Sequence, residues 1–177
     1  VPNGFAKLGL APELVSALAE MEFTQPTAVQ EKVIPMAMVS NTADSATGFT
    51  DLLVSSQTGS GKTAAFLLPV LHTLLQRQVE AANREREEFD AAVAAAIAKG
   101  EVPPKRPKRK DPTNTRNFKA ATPGALVLCP TRELAQQVAH DAIDLVRHCR
   151  GLRIASVVGG MPYQLQIAKL QNADLVV

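Results

Sequence analysis

Gly59, Gly61, Lys62 and Thr63 close the run Val54-Ser-Ser-Gln-Thr-Gly-Ser-Gly-Lys-Thr63, the stretch whose residue types and spacing speak most directly of chemistry. Glycines let a backbone turn so sharply that successive N–H groups point at one anion. A helix starting immediately behind adds its partial positive charge. Lys62 then reaches the β and γ phosphates of a nucleoside triphosphate, and Thr63 offers its hydroxyl to Mg²⁺. The usual spacing is G-x-x-x-x-G-K-[ST], and Ser56 stands where the first glycine belongs. That position sets backbone geometry at a strand end, so a small serine is expected to serve. The alternative is an ordinary glycine turn with a solvated lysine.

Such a loop needs a strand before it and a helix after it. Asp51-Leu-Leu-Val-Ser55 is the expected strand, and Ala64 to Gln76 the helix, bent at Pro69. Upstream, residues 11–21 read as a short amphipathic helix with Leu14, Val15, Leu18 and Met21 on one face. A second helix is expected from about Pro26, with Val29, Val33 and Ile34 inward. Downstream, strands at 125–129, 154–158 and 174–177 alternate with helices at 133–148 and 162–170. Apolar strands alternating with helices argue for an α/β fold, a parallel sheet with helices on both faces.

The chain has 177 residues, 46% of them hydrophobic, enough for one domain with a substantial core. With six Phe, one Tyr and no Trp, that core must be mostly aliphatic. No run approaches the roughly 18 apolar residues that cross a bilayer, so no membrane partner is expected. Cys129 and Cys149 lack any CxxC spacing and read as small hydrophobes in a reducing compartment. A cytoplasmic location fits best, a nuclear one less well.

Two segments interrupt the alternation. Residues 40–50 read as a polar loop. Residues 77–122 read as an insertion: 79–98 can be helical, supported by Glu80 with Arg84 and Arg84 with Glu88, and the proline-rich stretch from Pro103 to Pro112 should be extended. Eight Lys or Arg against two acids between Lys99 and Lys119 give that stretch +6, leaving the rest at −4 within a total of +2. It fits a solvated linker, an RNA or partner contact, or an import signal.

The chain resembles the DEAD-box ATP-dependent RNA helicases. Thr58-Gly-Ser-Gly-Lys-Thr63 matches their phosphate loop, whose first position is usually Ala. Phe23-Thr-Gln-Pro-Thr-Ala-Val-Gln30 is similar to their Q motif, Phe5 lies near the spacing of their isolated upstream aromatic, Pro130-Thr-Arg-Glu-Leu-Ala135 matches motif Ia, and Gly159-Gly160 resembles their GG element. The resemblance implies a RecA-like P-loop NTPase domain over 1–177 that uses ATP and Mg²⁺. It implies that Thr58, Gly59, Ser60, Gly61, Lys62 and Thr63 hold the phosphates, with Lys62 and Thr63 catalytic and Thr63 on the metal. Gln30 would hydrogen-bond the adenine edge, since a carboxamide supplies one donor and one acceptor. Phe5 would stack on the base, unless it is plain packing, and Gln25 would border the pocket. Pro130, Thr131, Arg132, Gly159 and Gly160 would meet RNA through its sugar-phosphate backbone, without base specificity.

The departures matter equally. Asp-Glu-Ala-Asp, which holds Mg²⁺ and positions water in the family, occurs nowhere in these residues, and Thr-Pro-Gly-Arg is absent too. The expectation is an incomplete domain, a monomer that binds adenine nucleotide weakly without turnover and whose second RecA-like domain is not included. A different P-loop enzyme such as a small kinase, and a non-catalytic RNA-binding or scaffolding protein, are the competing readings.

Overall fold

Pro12, at a first-turn position where its missing N–H costs nothing, opens helix α1 (Pro12–Glu20). The structure is a computed structural model describing residues 3–39, 51–105 and 122–177. The polar loop expected at 40–50 and most of the basic run lie outside the described residues. Leu14, Ala17 and Leu18 face inward from α1 at helical spacing. Before it, Gly4–Leu8 form one 3-10 turn, capped by the Asn3 side chain, which accepts from the Phe5 N–H, and ended by Gly9 at φ 77°. Helix α2 (Ala28–Val39) carries Ile34 into the core.

Helix α3 (Lys62–Ala98) corrects one expectation. The phosphate-loop helix and the helix inside the presumed insertion are a single 37-residue element. Pro69 does not end it, and the Thr73 hydroxyl donates to the Pro69 carbonyl at 2.9 Å. Nothing between Gln76 and Val79 interrupts helical geometry, because Arg77 and Gln78 are good helix formers. The first turns bury Leu67, Leu68, Leu71 and Leu74; from Gln76 onward nearly every residue is exposed. One helix thus belongs half to the core and half to solvent.

Strands β1 (Ala125–Leu126), β2 (Ile154–Ala155) and β3 (Leu175–Val176) form a parallel sheet in the order β1-β3-β2, with helices α4 (Arg132–Leu145) and α5 (Tyr163–Leu170) as the crossovers. Leu175 lies opposite both Ala125 and Ile154. Hydrogen bonds continue past the strand ends, from Val127 N–H to the Val176 carbonyl at 2.8 Å and from Val157 N–H to the Val177 carbonyl at 2.8 Å. Both faces of β3 are covered, as the apolar pattern predicts. Leu175 and Val177 join the main core with α1, α3 and α4, while Val176 packs with Ala155, Ala173 and Leu170.

The strand expected at 51–55 is the second correction. It carries no ladder, Leu53 is fully exposed, and Leu52 and Val54 are more than a third exposed. An apolar cleft of about 400 Å³, lined by Leu52, Val54, Phe66, Val70, Leu74 and Ala125, lies between this run and β1. Among the described residues no strand lies beside it, and an extended segment without a neighbour has nothing to pair its backbone with.

His72 ties the upstream segment to α3: its buried Nδ1 accepts from the Ala11 N–H at 3.1 Å across 61 residues of sequence. Burial holds the imidazole pKa below its ordinary value. The folded state therefore disfavours protonation, and a protonated ring has no acceptor left for Ala11. This stability is fully present above the unfolded pKa near 6.5 and is lost as pH falls through the lower folded value. His72→Leu should cost about 1–3 kcal/mol at pH 7.5 by leaving Ala11 N–H unpaired. Urea midpoints measured between pH 7.5 and 5.5 should fall more steeply for the wild type than for the variant; parallel falls would refute the assignment.

Candidate functional site

The phosphate loop is shaped by two glycines in the left-handed region, Gly59 at φ 79° and Gly61 at φ 83°. Gly61 is also the N-cap of α3, and among the described residues no side chain caps that end. The first N–H groups of a 37-residue helix are thus free of side-chain partners and open to an anion. Two side chains fix the loop. The Gln30 Nε2 donates to the Gly61 carbonyl at 3.1 Å, and its Oε1 accepts from the Thr27 N–H at 2.9 Å. The Thr27 hydroxyl donates to the Ser60 carbonyl at 2.8 Å. A Cβ at position 61 would collide with the Gln30 amide, so space as well as φ demands glycine there.

Ser56, the residue in place of the missing glycine, is part of this closure. Its hydroxyl meets the Ser60 hydroxyl at 2.5 Å, and its carbonyl accepts from Lys62 Nζ at 2.6 Å. The ammonium also donates to the Gln57 carbonyl at 2.7 Å, so Lys62 lies across its own loop. Phosphate oxygens are stronger acceptors for an ammonium than these carbonyls, so the donor set suits an anion. Thr63 occupies the first turn of α3, half-buried. Among the described residues no group of three or more His, Cys, Asp or Glu is placed to hold a metal.

On the base side, Phe5 is 1% exposed and belongs to the main core. Gln25 is exposed and rests on Gly4, whose missing Cβ makes room for the Gln25 amide and Pro26. Gln30 is 6% exposed, and each end of its carboxamide is already engaged once. A carboxamide has two hydrogens and two acceptor sites, so one of each remains for a ligand edge.

A second patch forms at the sheet end. Thr131 caps α4, its hydroxyl accepting from the Leu134 N–H at 3.2 Å, and exposed Pro130 precedes it. Arg132 Nη1 donates to the Gly159 carbonyl at 3.3 Å, which joins the Pro130–Ala135 element to the glycine pair. Arg132 also approaches Glu133 at 3.9 Å, an exposed pair of small energetic weight. Gly160 adopts φ 82°, and a Cβ there would come within 3.2 Å of the guanidinium. Sequence reasoning missed Gln166. It is 9% exposed, and its Nε2 donates to the Val158 carbonyl at 3.2 Å and the Met161 carbonyl at 3.0 Å, bracketing the glycines. The one signal was its place four residues before Leu170, on the inward stripe of α5.

The profile of the DEAD/DEAH box helicase family matches residues 27–177, from the clamp residue Thr27 through β3. This chain belongs to that family. Among curated relatives, the ATP-dependent RNA helicase mak5 of Neosartorya fischeri is 32% identical over 99% of this chain and 18% of its own length. The ATP-dependent RNA helicase SrmB of Haemophilus influenzae is 36% identical over 98% of this chain and 29% of its own. The chain thus spans less than a third of these relatives. A DEAD box protein from Methanococcus jannaschii superposes with a TM-score of 0.63 at 26% identity, covering 98% of this chain and 34% of the other. The RNA-helicase Prp28 from Chaetomium thermophilum, bound to ADP, superposes at 0.61 with 27% identity over 99% and 31%. The fold is accordingly the RecA-like helicase α/β arrangement.

Gly61→Ala should destabilise the chain by roughly 1–3 kcal/mol through the strained φ alone and abolish binding of a fluorescent ATP analogue. Thermal melts and a binding titration check both; a variant that melts and binds like the wild type would refute the loop geometry described.

Proposed function

We propose that the chain is the nucleotide-binding half of an ATP-dependent RNA helicase, holding ATP-Mg²⁺ at the N-terminus of α3 and RNA phosphates at the Arg132–Gly160 patch. The observation carrying this reading is the uncapped start of α3 gripped by Gln30 and Thr27 through Gly61 and Ser60. The same glutamine that shapes the phosphate loop retains a donor and an acceptor for a purine edge, which couples base identity to phosphate geometry. The family membership, the names of the relatives and the ADP in the Prp28 structure support the nucleotide.

Bound nucleotide would supply the reacting phosphoryl group. The chain's own residues bind and orient: Lys62 exchanges the carbonyls of Ser56 and Gln57 for phosphate oxygens, and the glycine turn presents N–H groups. Gly59, Thr58 and Ser60 shape the mouth of that turn, and Arg132 with the Gly159–Gly160 backbone takes the RNA strand. A second RecA-like domain, with the arginine fingers that are worth about 10³–10⁵ in rate in phosphoryl transfer, would complete the catalytic set. These 177 residues contain no Asp-Glu-Ala-Asp and gather no carboxylate cluster at the loop among the described residues. The isolated chain is therefore a binder without turnover.

Equilibrium titration with ATP and GTP tests the reading. The wild type should prefer ATP, and Gln30→Ala should lose both the preference and part of the affinity. RNA-stimulated phosphate release by the 177-residue chain, or a Gln30→Ala variant that still selects ATP, would overturn it.

A further inference from the structure

Tyr163 is the only tyrosine in a chain without tryptophan, and it is 84% exposed on the first turn of α5. It shares a helical stripe with Gln166 and Leu170, three and seven residues on. Gln166 is buried and Leu170 packs against the smaller core, but the stripe runs past the protein at Tyr163. The ring therefore stands in solvent at the edge of the Gly159–Gly160 turn. Its position is fixed relative to that turn, because Gln166 Nε2 holds the carbonyls on either side of the glycines, at Val158 and Met161. By chain length alone the ring's backbone lies within about 11 Å of Gly160.

The surroundings suit a nucleic acid strand. Arg132 brings a half-exposed guanidinium to the same turn through its bond to the Gly159 carbonyl. Among the described residues, the N–H groups of Gly159 and Gly160 make no hydrogen bond. A cation, two free amides and an exposed aromatic ring thus lie within five residues and one neighbouring loop. Phosphate takes the first two, and only a flat apolar partner takes the third.

We propose that Tyr163 stacks on a base of single-stranded RNA whose phosphate rests on the Gly159–Gly160 turn. This rests on the RNA reading above and deepens it: the patch reads the presence of an unpaired base as well as backbone charge. A base inside a duplex is already stacked on both sides, so the contact favours an unpaired strand and is indifferent to sequence, since every base has a π-face.

The test is anisotropy of a labelled single-stranded oligouridylate titrated with the chain and its variants. Tyr163→Phe should bind within about twofold of the wild type, whereas Tyr163→Ala and Tyr163→Leu should each weaken binding about 5- to 100-fold. Tyrosine emission, which here reports Tyr163 alone, should be quenched by the oligonucleotide and unaffected by inorganic polyphosphate, which has charge but no bases. Wild-type affinity in Tyr163→Ala, or unquenched emission on RNA binding, would overturn the stacking and leave the backbone contact standing. Retained affinity in Tyr163→Leu would also overturn it and mark an apolar surface for a protein partner. Failure of the wild type to bind RNA at all would sink the broader RNA reading.

Discussion

The carboxamide of Gln30, closed between the Thr27 N–H and the Gly61 carbonyl, is the contact on which the site depends. It lies at the junction of α2 and α3, the most extensively packed pair of elements among the described residues. Leaving either end of a buried amide without a partner costs about 1–3 kcal/mol. The cost would fall where the helix dipole, the glycine turn and Lys62 converge. Because Gly61 has no side chain, the glutamine can approach the loop backbone itself, and nothing larger fits between them. Geometry at one residue thus sets both the phosphate cradle and the position of the buried Gln30 beside it.

Around that contact the fold is arranged by burial. The first turns of α3 bring Leu67, Leu68, Leu71 and Leu74 under the sheet, and α1 and α4 close over them. Strand β3 lies between β1 and β2, so the parallel sheet depends on both crossover helices to bring its strands together. Surface ion pairs add orientation more than energy. Arg147 joins Glu20 at 3.3 Å and Asp144 at 3.1 Å, and His148 meets the same Glu20 at 2.9 Å, linking α1 to the end of α4. The Arg147 hydrogen bond, foremost among several contacts, holds the Glu20 carboxyl below its usual value.

Much of this was legible in the residues. Helical periodicity marked α1, α4 and α5 to within a few positions, and the alternation of apolar strands with helices marked the parallel sheet. Glycines with Lys62 and Thr63 marked the loop, because few other arrangements need those residues together. What escaped was information carried by contacts between distant segments. Nothing local tells that Phe5, five residues into the sequence, is buried in the main core. Gln166 and His72 read as ordinary polar residues until the fold buries them against backbone groups far from or beside them in sequence. The strand at 51–55 failed for the opposite reason: its local pattern is right, but a strand is completed only by a neighbour. Continuity of α3 through Gln76 was hidden by a change in composition, since helical geometry responds to propensity and not to whether a side chain is buried.

That continuity makes α3 the longest described element. Its 37 residues span about 55 Å at about 1.5 Å per residue, and its root is the phosphate loop. The near half is locked by leucines, and most described residues of the far half, past Gln76, are exposed. A tilt of about 5° at the root carries the tip about 5 Å, a displacement as long as a full helical turn. The helix that begins at the phosphate loop thus ends one residue before Lys99, where the basic stretch of the sequence starts.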